Sequence, residues 1–160
     1  MGIVITAASK AWNIAGLKCA IIVSQNPAMD QLLRRLPRAT HYRASLLGAF
    51  ASVAAYSEGT DWLDAAIIQL DVNRRFLREL MKQKLPFVQF ELPQVGYLAW
   101  LDFSQYGLSR PAHQFLTKGR VAVNEGSGFG PNVESFVRLN FATSPEILSE
   151  AVERIAGAIK

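Results

Sequence analysis

The chain has 160 residues, half of them apolar, and a net charge of +4, which is long and apolar enough to bury one core or two small ones and reads as a soluble globular protein. No run has the length of a membrane span, since Ala20–Val23 is short and Leu46–Tyr56 is broken by Gly48 and Ser52. The basic residues form two groups, Arg34, Arg35 and Arg38 near a helix end and Arg74, Arg75, Arg78, Lys82 and Lys84 on one amphipathic segment; neither is interleaved with exposed aromatics or glycines, so both read as solvated helix faces and no nucleic-acid partner is expected.

The amino terminus lacks the basic, apolar and small-residue order of a signal peptide, and the single Cys19 cannot make an internal disulfide. A reducing, cytoplasmic compartment is therefore expected. Met1–Thr6 opens directly in a strand, and Ile3–Ile5 and Ala20–Val23 read as short buried strands. A buried first strand with no neighbouring sheet is an odd start for an independent fold, and truncation is the expected reason.

Asn26-Pro27 starts a helix whose apolar stripe is Met29, Leu32, Leu33 and Leu36, and Pro37 stops it. Residues 40–57 form a second helix, rich in Ala, Ser and Gly, small enough on one side for close backbone approach. Glu58-Gly59 breaks it, and Asp61, supported by Asp64, caps a long helix running to about Lys84. Asp71 and Arg75 are spaced for an i,i+4 pair on that helix.

Beyond Pro86 the period changes to that of strands, Phe87–Glu91 and Tyr97–Phe103, with Pro93 and Gly96 in the turn. A short helix begins at Ser109-Arg110-Pro111. Strands follow at Val121–Val123 and Ser135–Phe141, separated by the loop Gly126-Ser127-Gly128-Phe129-Gly130-Pro131. Ser144-Pro145 caps a last helix with Ile147, Leu148, Ala151, Val152, Ile155 and Ile159 on its apolar face. The fold class read from this order is α/β passing to α+β: a βα piece over residues 1–60, then a long connecting helix and a small α+β domain with antiparallel strands over residues 61–160.

Two strings carry candidate chemistry. The first is Thr6-Ala7-Ala8-Ser9-Lys10-Ala11-Trp12-Asn13-Ile14-Ala15-Gly16-Leu17-Lys18, which sets hydroxyls, lysines and a glycine between two apolar runs. The second is Phe136-Val137-Arg138-Leu139-Asn140-Phe141-Ala142, where alternation sends the Arg138 guanidinium to one face of a strand; its planar fork suits a carboxylate. The bland readings are a surface charge for each lysine and a structural salt bridge for Arg138. His41 and His113 are isolated and form no metal-ligand spacing, so no metal is expected. Gly126–Gly130 lacks the Lys-Ser/Thr ending of a phosphate loop. Trp12, Trp62 and Trp100 read as packing residues.

The first string resembles the cofactor-lysine segment of fold-type I pyridoxal-phosphate enzymes in the aminotransferase class I/II group, and its form is most similar to the cystathionine β-lyase branch. The Arg-Leu-Asn-x-Ala string resembles that group's substrate-carboxylate site, although Glu134 and Ser135 stand where a glycine is expected before Phe136. The resemblance implies pyridoxal 5'-phosphate held covalently on Lys10 as an imine, with Ser9 and Thr6 as phosphate ligands and Lys18 as a phosphate-binding cation. It implies that Arg138 binds the substrate carboxylate. It further implies a C-terminal fragment of a carbon-sulfur β-lyase acting on a sulfur-containing amino acid, dimeric when intact and inactive when cut to these residues. An aminotransferase of the same fold, and the effector-binding domain of an aminotransferase-like regulator, are the alternatives.

Overall fold

A computed structural model describes residues 2–160 of the chain, which divides into two compact units, the first ending at Ala66 and the second running Ile67–Lys160. Met1, part of the expected opening strand, lies outside the described residues.

In the first unit β1 (Val4–Thr6) and β2 (Ile21–Val23) pair antiparallel, Thr6 opposite Ile21. The expectation of strands holds, but that of burial does not: every residue of both strands is exposed, Ile5 at 67%. Among the described residues, two apolar side chains of this unit are buried, Ala8 and Ala55. Helix α1 (Pro27–Arg34) is capped by Asn26, whose side chain accepts from the amides of Ala28 and Met29, with Pro27 in the first turn where no N–H is missed.

The expected helix over 40–57 is two pieces, α2 (Arg38–His41) and α3 (Leu46–Glu58). The split falls at Ser45, which caps α3 by accepting from the Gly48 amide and donates its own amide to the Lys18 carbonyl. A cap tied to a distant loop overrides the helical period of residues 42–45. The buried residues of α3 are Gly48, Ser52 and Ala55, and a Cβ on Gly48 would sit 2.3 Å from the Leu17 carbonyl oxygen. The small-residue face therefore serves close approach of helix and loop.

The long helix α4 (Thr60–Lys84) forms as the period requires, except that Gly59, whose carbonyl accepts from Leu63 N–H, starts it in place of Asp61. The division between the units falls within it. In the second unit a four-stranded antiparallel sheet runs in the order β3 (Gln89–Phe90), β4 (Leu98–Asp102), β6 (Phe136–Asn140), β5 (Asn124–Glu125). Strand alternation buries Ala99, Leu101, Val137 and Leu139 on one face, where they join Leu77, Leu80 and Met81 of α4 and Leu148, Val152 and Ile155 of α6 (Pro145–Ile159) in one core. Asn73 of α4 is 1% exposed and donates to the carbonyls of Phe141 and Thr143, pinning the helix to the end of β6.

The expected strand at Val121–Val123 is extended chain outside the ladder; pairing begins only at Asn124. Helix α5 (Pro111–Gln114) passes into a π-type turn over Phe115–Gly119, and the Val121 amide donates back to the Phe115 carbonyl. That bond closes the turn and delays entry to the sheet.

Candidate functional site

The Lys10 string lies between β1 and β2, in the first unit. Lys10 is in the turn Ala8–Trp12, closed by the Trp12 amide donating to the Ala8 carbonyl (3.0 Å) and the Ile14 amide to Ser9 (3.1 Å). A short 3-10 turn, Ala15–Leu17, then ends at Lys18, whose left-handed backbone (φ 51°) reverses the chain into β2. Three contacts hold the loop: the Trp12 indole donates to the Gly59 carbonyl at 2.9 Å, its ring meets Tyr56 edge-on at 5.0 Å, and Leu17 closes on Gly48. Trp12 is thus the packing residue expected, bracing the turn that carries Lys10.

The four candidates here, Thr6, Ser9, Lys10 and Lys18, lie on this one loop and the strand end that feeds it. Lys10, Lys18 and Thr6 are exposed and Ser9 is half-buried. Among the described residues the side chains of all four lack a hydrogen-bond partner, and neither lysine meets a carboxylate. The loop therefore presents two hydroxyls and two ammonium groups with their donors uncommitted.

Arg138 belongs to the second unit, on the sheet face opposite the core. In register it lies between Trp100 of β4 and Asn124 of β5. Its Nη2 donates to Asn124 Oδ1 at 3.1 Å, and its guanidinium carbon stands 4.6 Å from the centre of the Phe129 ring. Trp100 meets Phe129 edge-on and stacks on Phe136, both at 5.4 Å. Gly126 allows the glycine-rich loop to fold back tightly enough to bring Phe129 here, since a Cβ on it would sit 2.1 Å from the Val133 carbonyl oxygen.

The salt bridge that would make Arg138 merely structural is missing among the described residues, whereas Arg34, Arg74, Arg75, Arg78 and Arg154 each have a carboxylate. Its Nε is buried and unpartnered. A half-buried cation with one neutral acceptor, an aromatic face and no countercharge is arranged to receive an anion. His41 and His113 are exposed.

The sequence model for aminotransferase class I and II matches residues 2–155. The chain belongs to the aminotransferase class I and II family. Within that family it is 40% identical, over 98% of its length, to the cystathionine beta-lyase of Corynebacterium glutamicum and covers 42% of that protein. A provisionally assigned PLP-dependent beta-cystathionase from Corynebacterium diphtheriae has a similar structure, with a TM-score of 0.93 and 42% identity over 98% of this chain and 42% of that one. A PLP-bound C-S lyase from Staphylococcus hominis gives 0.86 and 30%, again over 98% and 42%. The chain thus spans about two fifths of the length of the relatives it matches. Membership bears out the resemblance read from the Lys10 and Arg138 strings, and the fold class with it.

Sequence reasoning passed over Asn124, Phe129 and Trp100. Trp100 reads as a packing residue, which it is, against Phe129 and Phe136; Asn124 falls just past the expected strand, so its place opposite Arg138 depends on a register that only the folded sheet defines. The available signal was the aromatic inside a glycine-rich loop preceding a strand arginine.

Proposed function

We propose that this chain supplies the cofactor lysine and the substrate-carboxylate arginine of a pyridoxal-phosphate-dependent carbon-sulfur β-lyase acting on a sulfur-containing amino acid such as cystathionine. The observation that carries the reading is Arg138, held by Asn124 and Phe129 with no carboxylate partner among the described residues. The uncommitted donors around Lys10 fit the cofactor: an amine for an aldehyde, and hydroxyls with a second ammonium for a phosphate. Residues 1–60 are assigned to the cofactor-binding large domain and residues 61–160 to the small domain.

When bound, pyridoxal phosphate supplies the aldehyde and an electron-withdrawing ring. Lys10 Nζ holds that aldehyde and, once free, serves as the base that takes the proton from the substrate Cα. Ser9 and Thr6 donate their hydroxyl protons to phosphate oxygens, and Lys18 Nζ balances the phosphate charge. Arg138 binds the substrate carboxylate through its outer nitrogens, which fixes the Cα–H bond relative to the base. The thiolate would then leave Cβ, and one water would hydrolyse the remaining 2-aminoacrylate, through its imine tautomer, to pyruvate and ammonia.

The intact protein is read as a cytoplasmic homodimer; the exposed apolar side chains Val4, Ile5, Leu46, Leu47 and Phe50 are compatible with a surface covered by a second subunit or by further parts of the fold. These 160 residues alone are read as inactive, since they span only part of the lyases they match. The test is to supply the intact protein with cystathionine and, separately, with an amino-acid and keto-acid pair. Thiol and pyruvate released in equal amounts support the lyase; amino transfer without thiol release overturns it in favour of an aminotransferase.

A further inference from the structure

We infer that Asn124 is a positioning residue for Arg138, and that its being a neutral amide rather than a carboxylate keeps the arginine available to a substrate carboxylate. The inference rests on the reading of Arg138 as the carboxylate-binding group.

The geometry leaves Asn124 one evident task. It is the direct cross-strand neighbour of Arg138, and its Oδ1 accepts from Nη2 at 3.1 Å. The opposite neighbour is Trp100, which stacks on Phe136 and abuts Phe129; Phe129 in turn lies against the guanidinium. The ring covers one side of the guanidinium and the amide oxygen holds its Nη2. Glu125, the next residue of β5, pairs with Val137 on the core side by strand alternation, and it makes no ion pair with Arg138 among the described residues.

An amide oxygen and a carboxylate oxygen accept the same hydrogen bond, but only the carboxylate neutralises the cation. An aspartate at 124 would bond the same nitrogen as an internal countercharge at effectively saturating concentration, in competition with any incoming carboxylate. Asn124 is exposed, so the isosteric change Asn124→Asp adds charge without repacking the core. A partner that holds the arginine still without satisfying its charge gives orientation at no cost in affinity.

The test uses the intact protein free of cofactor, with isotopically labelled arginine, and propionate as a carboxylate lacking the amino group. The Arg138 Nε–H resonance is identified by its loss in Arg138→Gln. In the native protein it should shift saturably with sodium propionate and not with equal sodium chloride. Asn124→Asp should weaken propionate about tenfold or more, and Asn124→Leu, which removes the acceptor without adding charge, by only a few-fold. In the loaded enzyme Asn124→Asp should raise KM by a similar factor with kcat little changed. If the native resonance ignores propionate, the carboxylate role of Arg138 itself fails. If it responds but Asn124→Asp binds as tightly as the native protein, or no more weakly than Asn124→Leu, the inference about Asn124 is overturned while the role of Arg138 stands.

Discussion

Arg138, held by Asn124 and the Phe129 ring, and Lys10, on the turn that Trp12 braces, are the two side chains on which the proposed chemistry turns. Both stood out in the sequence as candidates because each lies in a local string, and the face that Arg138 takes in β6 follows from strand alternation. The partners of Arg138 did not, because Asn124, Phe129 and Trp100 reach it across strands and through a loop. At this scale Arg138→Gln should raise the KM for an amino-acid substrate by roughly 10- to 100-fold, the worth of a charge-assisted bond to a carboxylate, with a smaller effect on kcat. Steady-state kinetics on the intact protein checks the split. A fall in kcat with KM unchanged would count against a binding role. Trp12→Phe keeps the ring against Tyr56 but removes the 2.9 Å bond to the Gly59 carbonyl. It should cost about 1 kcal/mol in denaturant titration.

Among the elements, α4 and α6 follow the helical period so fully that their apolar faces could be written down from the sequence, whereas α3 and β5 were misplaced by a few residues. In each case a hydrogen bond outside the regular helix and ladder patterns set the boundary: Ser45 N–H to the distant Lys18 for the start of α3, and Val121 N–H to Phe115, closing the turn just before it, for the late start of β5. Such bonds have no periodic signature. Gly48→Ala should destabilise the chain by about 1–3 kcal/mol, because the new methyl meets a backbone carbonyl that has no rotamer to escape to; thermal unfolding of the variant measures it. Asn73→Ala should cost about 2–4 kcal/mol by leaving two carbonyls without their buried donor. On the surface of α4, the hydrogen bond from Arg74, followed by the charges of Arg74 and Arg75, holds the Asp71 carboxyl below its usual range. A depressed folded pKa means that this contribution is present above the unfolded value of about 4 and is lost as pH falls through the folded one. Asp71→Asn should flatten that part of the acid limb of a stability-against-pH curve.

At the scale of the whole molecule the two units differ in kind. The second has a closed core in which Leu77, Phe103, Phe115, Val137, Phe141 and Ile155 are fully buried, while among the described residues of the first the buried apolar side chains are Ala8 and Ala55. Composition foretold enough apolar residues for a core; it could not say that so many in one unit would face outward, since that depends on what the rest of a longer fold supplies. Hydrogen exchange on the isolated 160-residue chain should therefore protect the amides of β4 and β6 far longer than those of β1 and β2, and equal protection would contradict this picture. The central claim is that Lys10 is the amine that holds pyridoxal phosphate, and one measurement reaches it directly. The intact protein is incubated with the cofactor, reduced with borohydride, digested and weighed by mass spectrometry, beside Lys10→Ala. The account predicts a reduced pyridoxyl adduct on the peptide containing Lys10 and none on the variant; an adduct carried elsewhere, or retained by Lys10→Ala at the same yield, would contradict it.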